Sequence, residues 1–225
     1  MVERPGTATF GGLHVFPGGK VDPADSVDAA HCQGLDDAAA SRALGLARDG
    51  LAYWVAAIRE SFEEAGVLLG RMDDAFVDFA DPEANARFQA HRQALVKGEV
   101  RMAEICERER MVLATDHVHY FSHWITPEGA PARFDTRFFL ATMPENQSAS
   151  LHADELEDGL WISPAEALDR HRAGQWRMIH PTLVTLESLA AYGSIDALVR
   201  DVRAWRHLPE VTPELNRQGM QPPHR

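Results

Sequence analysis

Apolar residues recur at helical spacing along the stretch 51–65, and this pattern predicts the clearest element of the chain. Leu51, Trp54, Ile58 and Phe62 follow one another at intervals of three or four residues, which places them on one face of a helix. A glycine follows at position 66, where a helix commonly ends. Further helices are predicted over 36–47, 82–96, 100–110, 181–192 and 194–205.

Aromatic and β-branched residues mark the predicted strands. The runs 117–126 and 132–143 are typical of an antiparallel pair, and the turn-prone residues 127–131 lie between them. Strands are also expected over 9–16, which enters a Pro-Gly-Gly turn, and over 156–162. Ser163 then predicts the start of another helix, because Pro164 and Glu166 follow it at capping positions.

Charge and cysteine content narrow the class of protein. The 225 residues carry 34 acidic and 22 basic side chains, a formal net charge of −12, so we expect no nucleic-acid polymer as a partner. Two cysteines, Cys32 and Cys106, are too few for a disulfide framework. No segment resembles a signal peptide or a membrane span, and a cytoplasmic protein without a membrane partner is therefore expected.

Three carboxylates share one face of the helix predicted over 51–65. Glu60, Glu63 and Glu64 are neighbours at i, i+3 and i+4, so their charges repel one another. Such a face is usually only solvated. It becomes useful when it binds Mg²⁺ or Mn²⁺, hard cations that prefer carboxylate oxygens and share their remaining positions with water and phosphate.

The segment 59–67, Arg-Glu-Ser-Phe-Glu-Glu-Ala-Gly-Val, and the upstream Phe-Pro-Gly-Gly at 16–19 together resemble a known motif. This is the box of the Nudix hydrolase superfamily: a glycine, five residues, a glutamate, seven residues, and R-E-U-x-E-E-x-G-U with U a bulky apolar residue. Counting from Gly19 places the first box acid at Asp25, and 33 residues instead of seven separate it from Arg59. The interrupted box is similar to the branch that contains peroxisomal coenzyme A diphosphatases and their bacterial relatives. The resemblance extends from Phe10 to about Tyr192.

The chain departs from the family pattern at several positions. Asp25 is one methylene shorter than the usual glutamate, and Asp22 is an alternative for that position. Ser61 stands where a bulky apolar residue is usual. The coenzyme A pattern has an arginine four residues before the position of Gly12, where this chain has Ala8, so that signature is incomplete.

The resemblance implies an α/β (α+β) fold, a Nudix-type α/β/α sandwich with a mixed sheet and extra helical insertions. We expect a single Nudix domain over 1–205, with insertions at about 26–51 and 70–115, and a polar tail over 206–225. The second insertion is either a helical cover of the core or a substrate-selecting cap or dimer surface. The family fold begins with a strand of which few residues precede position 10, so part of it is expected to be missing.

The resemblance also implies roles for individual residues. Glu60, Glu63 and Glu64 would hold Mg²⁺ or Mn²⁺, with Glu60 alternatively the base that activates water, and Arg59 would orient the carboxylates. The remaining structural positions of the box are Gly18, Gly19, Asp25 and Gly66. Candidates for a base in a later loop are Glu155, Asp154 and Glu157. Arg133 and Arg137 are candidate phosphate contacts, and Asp135 can pair with either of them.

The implied reaction is metal-dependent hydrolysis of a diphosphate linkage in a nucleoside diphosphate derivative, with coenzyme A or acyl-coenzyme A among the candidates. The alternative is a Nudix module that binds a nucleotide or metabolite and regulates a partner, or a structural protein without ligand. Three mutually repelling acids disfavour both alternatives. His117, His119 and His123 alternate along one strand, which we interpret as ordinary strand histidines. The oligomeric state stays open, with a homodimer as one option because dimers are common in the family.

Overall fold

The computed structural model describes residues 1–3, 12–126, 128–129, 133–150, 158–204 and 210–211. The chain forms two compact units. The first unit draws its described residues from the ranges Met1–Gly12, Phe16–Val118 and Ala141–Leu160. The second draws them from Leu13–Val15, His119–Leu140 and Trp161–Arg225.

The described parts of the chain contain seven α-helices and nine short strands. The helices are α1 (Asp37–Leu44), α2 (Leu51–Ala65), α3 (Pro82–Val96), α4 (Met102–Glu109), α5 (Pro164–Arg172), α6 (His180–Ala190) and α7 (Ile195–Ala204). The strands are β1 (Val2–Glu3), β2 (His14–Val15), β3 (Gly70–Met72), β4 (Ala75–Phe76), β5 (Val112–Leu113), β6 (His119–Ile125), β7 (Asp135–Leu140), β8 (Asp158–Gly159) and β9 (Glu210–Val211).

The predicted antiparallel pair is confirmed in the second unit, where β6 pairs with β7. His123 lies opposite Arg137 and Ile125 opposite Asp135, and a bulge interrupts the register between Tyr120 and Ser122. Strand β9 adds to the other edge of β6 in parallel orientation. In the first unit, β3 pairs with both β4 and β5, and β1 pairs with β8, all antiparallel.

Helix α2 contributes eight buried residues to the first unit, and its bounds match the predicted stretch 51–65. Ile58 and Phe62 are fully buried, and Leu51 and Trp54 are each 4% exposed, as the spacing of the apolar residues predicted. Burying one such side chain contributes roughly 1.5–3 kcal/mol. Burial of the apolar face therefore fixes the rotation of α2 about its own axis. This rotation also sets the direction of the face that carries Glu60, Glu63 and Glu64.

Both ends of α2 are capped. The N–H of the first residue bonds to Asp37, and Gly66 ends the helix. Its first residue, Leu51, donates its backbone N–H to Asp37 Oδ1 at 3.0 Å, and Asp49 donates to Oδ2 at 3.0 Å. The bond from Leu51 is the leading cause that lowers the pKa of the Asp37 carboxyl. At the other end Gly66 adopts the left-handed conformation, with φ 69°, that the sequence anticipated for a helix C-cap.

The two helices expected within the second insertion are present as α3 and α4. The sheet of β3, β4 and β5 flanks them and was not predicted, because strands of two or three residues leave no periodic signal. Glu109 of α4 accepts hydrogen bonds from α3, at 2.8 Å from Arg87 Nε and 2.7 Å from His91 Nε2. The two hydrogen bonds to the Glu109 carboxylate thus hold α3 against α4.

The last helices of the second unit also follow the sequence. Ser163 caps α5 by accepting a hydrogen bond from the Glu166 N–H at 3.1 Å.

The strand expected over 156–162 is shorter, since its described residues are paired only at 158–159. Within the described ranges no single helix is long and apolar enough to cross a membrane, although α6 and α7, bent by 110°, satisfy that criterion as a pair.

Candidate active site

The glycine turn and the acidic helix lie next to each other in the first unit. Gly18 donates its backbone N–H to Glu64 Oε2 at 2.7 Å, across 46 positions of sequence. A Cβ built on Gly19 would lie 2.6 Å from Glu60 Cδ and 2.7 Å from its Oε2. The turn therefore approaches the helix so closely that a side chain at position 19 would collide with a carboxylate.

Arg59 is the hub of a network that joins the turn to the helix. Its guanidinium forms a two-pronged contact with Asp25, with Nε 2.7 Å from Oδ1 and Nη2 3.0 Å from Oδ2. Nη1 donates to Glu60 Oε1 at 2.8 Å and to Glu63 Oε2 at 2.7 Å. Nη2 also donates to the Lys20 carbonyl at 2.9 Å. The positive charge of the Arg59 guanidinium thus offsets part of the repulsion among the three glutamates.

The surroundings hold Arg59 in its charged form. Burial alone would lower the pKa of the guanidinium. The hydrogen bond to Asp25, together with the negative charges of Glu60, Asp25 and Glu63, outweighs burial and raises that pKa well above its usual value. Charge-assisted, two-pronged arginine–carboxylate contacts are also the most directional of protein ion pairs.

The carboxylate that contacts Arg59 is that of Asp25, and the Asp22 carboxylate has a different partner. The Asp25 residue is fully buried and both of its oxygens contact Arg59. Asp22 instead accepts the Ala24 N–H at 2.8 Å and caps a short 3₁₀ helix over Pro23–Asp25. The side chain of Asp25, although shorter than that of a glutamate, thus reaches Arg59.

A hard divalent cation fits the chemistry of this cluster. Glu60, Glu63 and Glu64 supply only carboxylate oxygens, which are the ligands that Mg²⁺ and Mn²⁺ prefer. In the described part of the chain no three His, Cys, Asp or Glu side chains are gathered as a metal-binding group. Two of the carboxylates contact Arg59 Nη1 instead, so binding a cation would require these side chains to turn.

The other predicted site residues lie in the second unit or outside the described ranges. Arg137, with only 4% of its side chain exposed, pairs with Asp135 at 2.8 Å, whereas Arg133 is half exposed and donates to the Thr126 carbonyl at 3.2 Å. The choice left open for Asp135 thus falls on Arg137. Glu155, Asp154 and Glu157 lie outside the described residues.

The three histidines have three different partners. His117 Nε2 lies 2.6 Å from Thr142 Oγ1, His123 Nε2 lies 2.6 Å from Asp135 Oδ1, and Arg203 Nε donates to His119 Nε2 at 3.1 Å. His117 also belongs to a 3₁₀ turn, and not to β6. These contacts agree with ordinary structural histidines.

Sequence reasoning missed one buried arginine close to the acidic helix. Arg92 of α3 is 4% exposed and donates to the backbone carbonyls of Glu63 and Glu64. A signal did exist, because Arg92 stands between Phe88 and Leu95 at helical spacing on the apolar face of α3. A charge in such a position needs a partner from another element.

A family model described as the NUDT19 Nudix domain matches residues 35–189, which is more than half of the chain. The chain belongs to the NUDT19 Nudix domain family. The matched range contains the whole of α2 and both of the helices α3 and α4, and it begins after the glycine turn. The resemblance inferred from the interrupted box is thereby confirmed.

Named relatives and a solved structure agree with this family. The chain is 29% identical to acyl-coenzyme A diphosphatase NUDT19 of Gallus gallus over 82% of its length and to that of Homo sapiens over 88%. It spans 58% and 61% of those two proteins. A crystal structure of a NUDIX hydrolase from Alicyclobacillus acidocaldarius matches with a TM-score of 0.67 and 26% identity, over 88% of this chain and 86% of that one. The predicted α/β Nudix-type fold is confirmed.

Gly19→Ala should displace Glu60 without unfolding the protein. The added Cβ meets the end of a flexible side chain, so the carboxylate moves away while the backbone stays. We expect a loss of stability of about 1–2 kcal/mol and, because a displacement of about 1 Å can lower activity about 100-fold, a fall in kcat of that order. Urea denaturation and steady-state hydrolysis of a diphosphate substrate measure the two effects.

Gly193→Ala is the control for this change, since a Cβ there would meet nothing within 4 Å. Equal activities of the Gly19 and Gly193 variants would contradict the close approach of turn and helix.

Proposed function

We propose that this chain is a metal-dependent Nudix hydrolase that cleaves the diphosphate linkage of a nucleoside diphosphate derivative, with coenzyme A or acyl-coenzyme A as the substrate to test first. The observation that carries the proposal is the bond from Gly18 N–H to Glu64, together with the approach of Gly19 to Glu60. Two distant halves of a Nudix box come together there, as a working site requires. Family membership and the names of the relatives support the reaction class.

The carboxylates of α2 are the proposed metal ligands. Glu63 and Glu64 would bind Mg²⁺ or Mn²⁺, with Glu60 as a third ligand. The bound cation would lower the pKa of the attacking water and neutralise charge on the phosphates. Gly18 holds Glu64 in place through its N–H, and the missing Cβ of Gly19 leaves the space that the Glu60 carboxylate occupies.

Arg59 would act on the acids and not on the substrate. All five of its described hydrogen bonds go to protein oxygens, on Asp25, Glu60, Glu63 and Lys20. When Glu60 and Glu63 turn towards a cation, the bonds to Asp25 and the Lys20 carbonyl remain to fix the guanidinium. Before a cation binds, the positive charge of Arg59 limits the repulsion among the acids.

Water attacks one phosphorus atom and breaks its bond to the bridging oxygen, so that one diphosphate yields two phosphate monoesters. The proton of the water passes to a carboxylate, for which Glu155 and Glu60 are the candidates. Of the two candidate phosphate contacts, Arg133 is half exposed and therefore more accessible than Arg137, which is buried against Asp135. A homodimer is proposed as well, because dimers are common in the family.

The deciding assay incubates the protein with coenzyme A, acyl-coenzyme A, NADH, ADP-ribose and dinucleoside polyphosphates, each with Mg²⁺, with Mn²⁺ and with EDTA. We expect cation-dependent formation of two monoester products from at least one substrate, with the coenzyme A compounds foremost. For these, the products are an adenosine nucleotide and a phosphorylated pantetheine, which chromatography separates. Binding of a nucleotide without turnover of any substrate would favour the regulatory module instead.

A further inference from the structure

A buried arginine from the second insertion contacts the end of the acidic helix. Arg92 lies on α3, between Phe88 and Leu95, and only 4% of the residue is exposed. A guanidinium keeps its charge at any physiological pH, so its burial is unfavourable unless hydrogen-bond acceptors surround it. The acceptors that surround it come from α2 and from the segment that ends at Ser150.

The guanidinium is spread over three backbone carbonyls and one hydroxyl. Its Nε and Nη2 donate to the Glu63 carbonyl at 3.0 and 2.9 Å, and Nη2 also donates to the Glu64 carbonyl at 3.1 Å. Towards Ser150, Nη1 donates to Oγ at 3.0 Å and Nη2 to the carbonyl at 2.8 Å. The last carbonyls of a helix lack partners within it and carry its negative dipole end. Arg92 therefore caps α2.

The capped carbonyls belong to the two residues whose side chains are the proposed metal ligands. A rotation of the last turn of α2 would move the backbone of Glu63 and Glu64 together with their carboxylates. Ser150 is bound to the same turn a second time, since its N–H donates to the Ala65 carbonyl at 2.8 Å. It directly precedes the acidic stretch 151–157 that holds the candidate base Glu155.

The box glycine provides an independent observation. A Cβ built on Gly66 would lie 2.8 Å from Arg92 Nη1 and 2.6 Å from Ser150 Oγ. The space that a side chain would need after α2 is thus occupied by the guanidinium and its serine partner. Besides allowing the left-handed turn, this glycine makes room for an arginine from another element.

We propose that Arg92 is a positioning residue, which fixes the last turn of α2 and so sets the affinity of Glu63 and Glu64 for the divalent cation. This inference rests on the proposed function. It assigns the second insertion a part in the site, alongside its place in the core. Residues that hold metal ligands in position commonly change metal affinity or activity 10- to 100-fold when they are replaced.

The test compares Arg92→Met and Arg92→Lys with the wild type. Binding of Mn²⁺ alone is measured by the loss of its free electron paramagnetic resonance signal, and thermal unfolding is followed in parallel, at an assay temperature well below every midpoint. We expect Arg92→Met to bind Mn²⁺ about 10- to 100-fold more weakly than the wild type. Arg92→Lys keeps the charge but not the planar fork, so its Mn²⁺ affinity should lie between those of the wild type and Arg92→Met. Hydrolysis should show a fall in kcat with KM changed little.

Arg87→Met is the matched control on the same helix. Arg87 contacts Glu109 and is partly exposed, so its loss weakens the α3–α4 contact without touching α2. We expect a lower melting temperature and unchanged Mn²⁺ affinity. If Arg92→Met does not fold, Arg92→Lys and Ser150→Ala, which removes one acceptor of the guanidinium, supply the comparison.

Folded Arg92 variants with wild-type Mn²⁺ affinity would overturn the positioning role while leaving the proposed function intact. Loss of affinity in Arg87→Met equal to that in Arg92→Met would also overturn it, since the effect would then be general loosening of α3. A wild type that binds no Mn²⁺ would overturn the proposed function, and the inference with it.

Discussion

Glu64→Gln is expected to remove nearly all diphosphate hydrolysis while the protein stays folded. The Glu64 side chain is almost buried, and its Oε2 accepts the Gly18 N–H at 2.7 Å. An amide oxygen can keep that hydrogen bond but carries no negative charge for a cation. Because a bound cation contributes several kcal/mol to stabilising the transition state, kcat should fall roughly a thousandfold. Steady-state kinetics with Mg²⁺ and thermal unfolding measure the two properties.

Glu104→Gln serves as the control for removal of one carboxylate. Glu104 lies on α4, in exposed ion pairs with Arg101 and Arg108, neither of which belongs to the cluster. Its replacement should leave kcat nearly unchanged because Glu104 is not a proposed ligand, and it should cost little stability, since exposed ion pairs contribute about 0.2–1 kcal/mol. Undiminished turnover by the Glu64 variant would refute its assignment as a metal ligand.

Arg59→Met should be the most destabilising single change in the cluster. It leaves the Asp25 carboxylate, whose side chain is 1% exposed, without its two-pronged partner. Breaking a buried pair from one side costs about 3–5 kcal/mol, because the remaining charge stays buried. Urea denaturation should show a lower midpoint with little change in slope. Activity should fall too, as Glu60 and Glu63 lose the donor that they share.

The double variant Arg59→Met with Asp25→Asn tests this cause. Removing both charges should recover more than half of the stability lost in Arg59→Met, so the two substitutions would be strongly non-additive. Additive effects, or a loss below about 1 kcal/mol in Arg59→Met, would show that Asp25 is satisfied by other groups such as the Asp22 N–H, which donates to its Oδ2 at 2.7 Å.

The sequence predicted well wherever a pattern repeats along one element. The bounds of α2 follow from apolar residues at helical spacing, and the cap of α5 follows from Ser163 and the residues after it. The meeting of Gly19 and Glu60 was predicted from the resemblance alone. Neither spacing nor composition could bring together two residues 41 positions apart in the sequence.

Contacts made to the backbone were beyond sequence reasoning. Arg92 donates to carbonyl oxygens, which every residue carries, so nothing in the partner's side chains marks the contact. Asp37 is similar, since it accepts from the N–H groups of Asp49 and Leu51. The charge of Arg92 on an apolar face was visible, but the element that neutralises it was not.

The long interruption between Asp25 and Arg59 has a small entropic consequence. Closing a flexible loop of 33 residues instead of seven costs only about 1.4 kcal/mol more, because loop entropy grows with the logarithm of length. A single charge-assisted hydrogen bond contributes roughly 1.5–3 kcal/mol, and the Asp25–Arg59 contact has two. One ion pair therefore suffices to offset the added chain. By the same reasoning, moderate further changes in the length of this connection would cost little free energy.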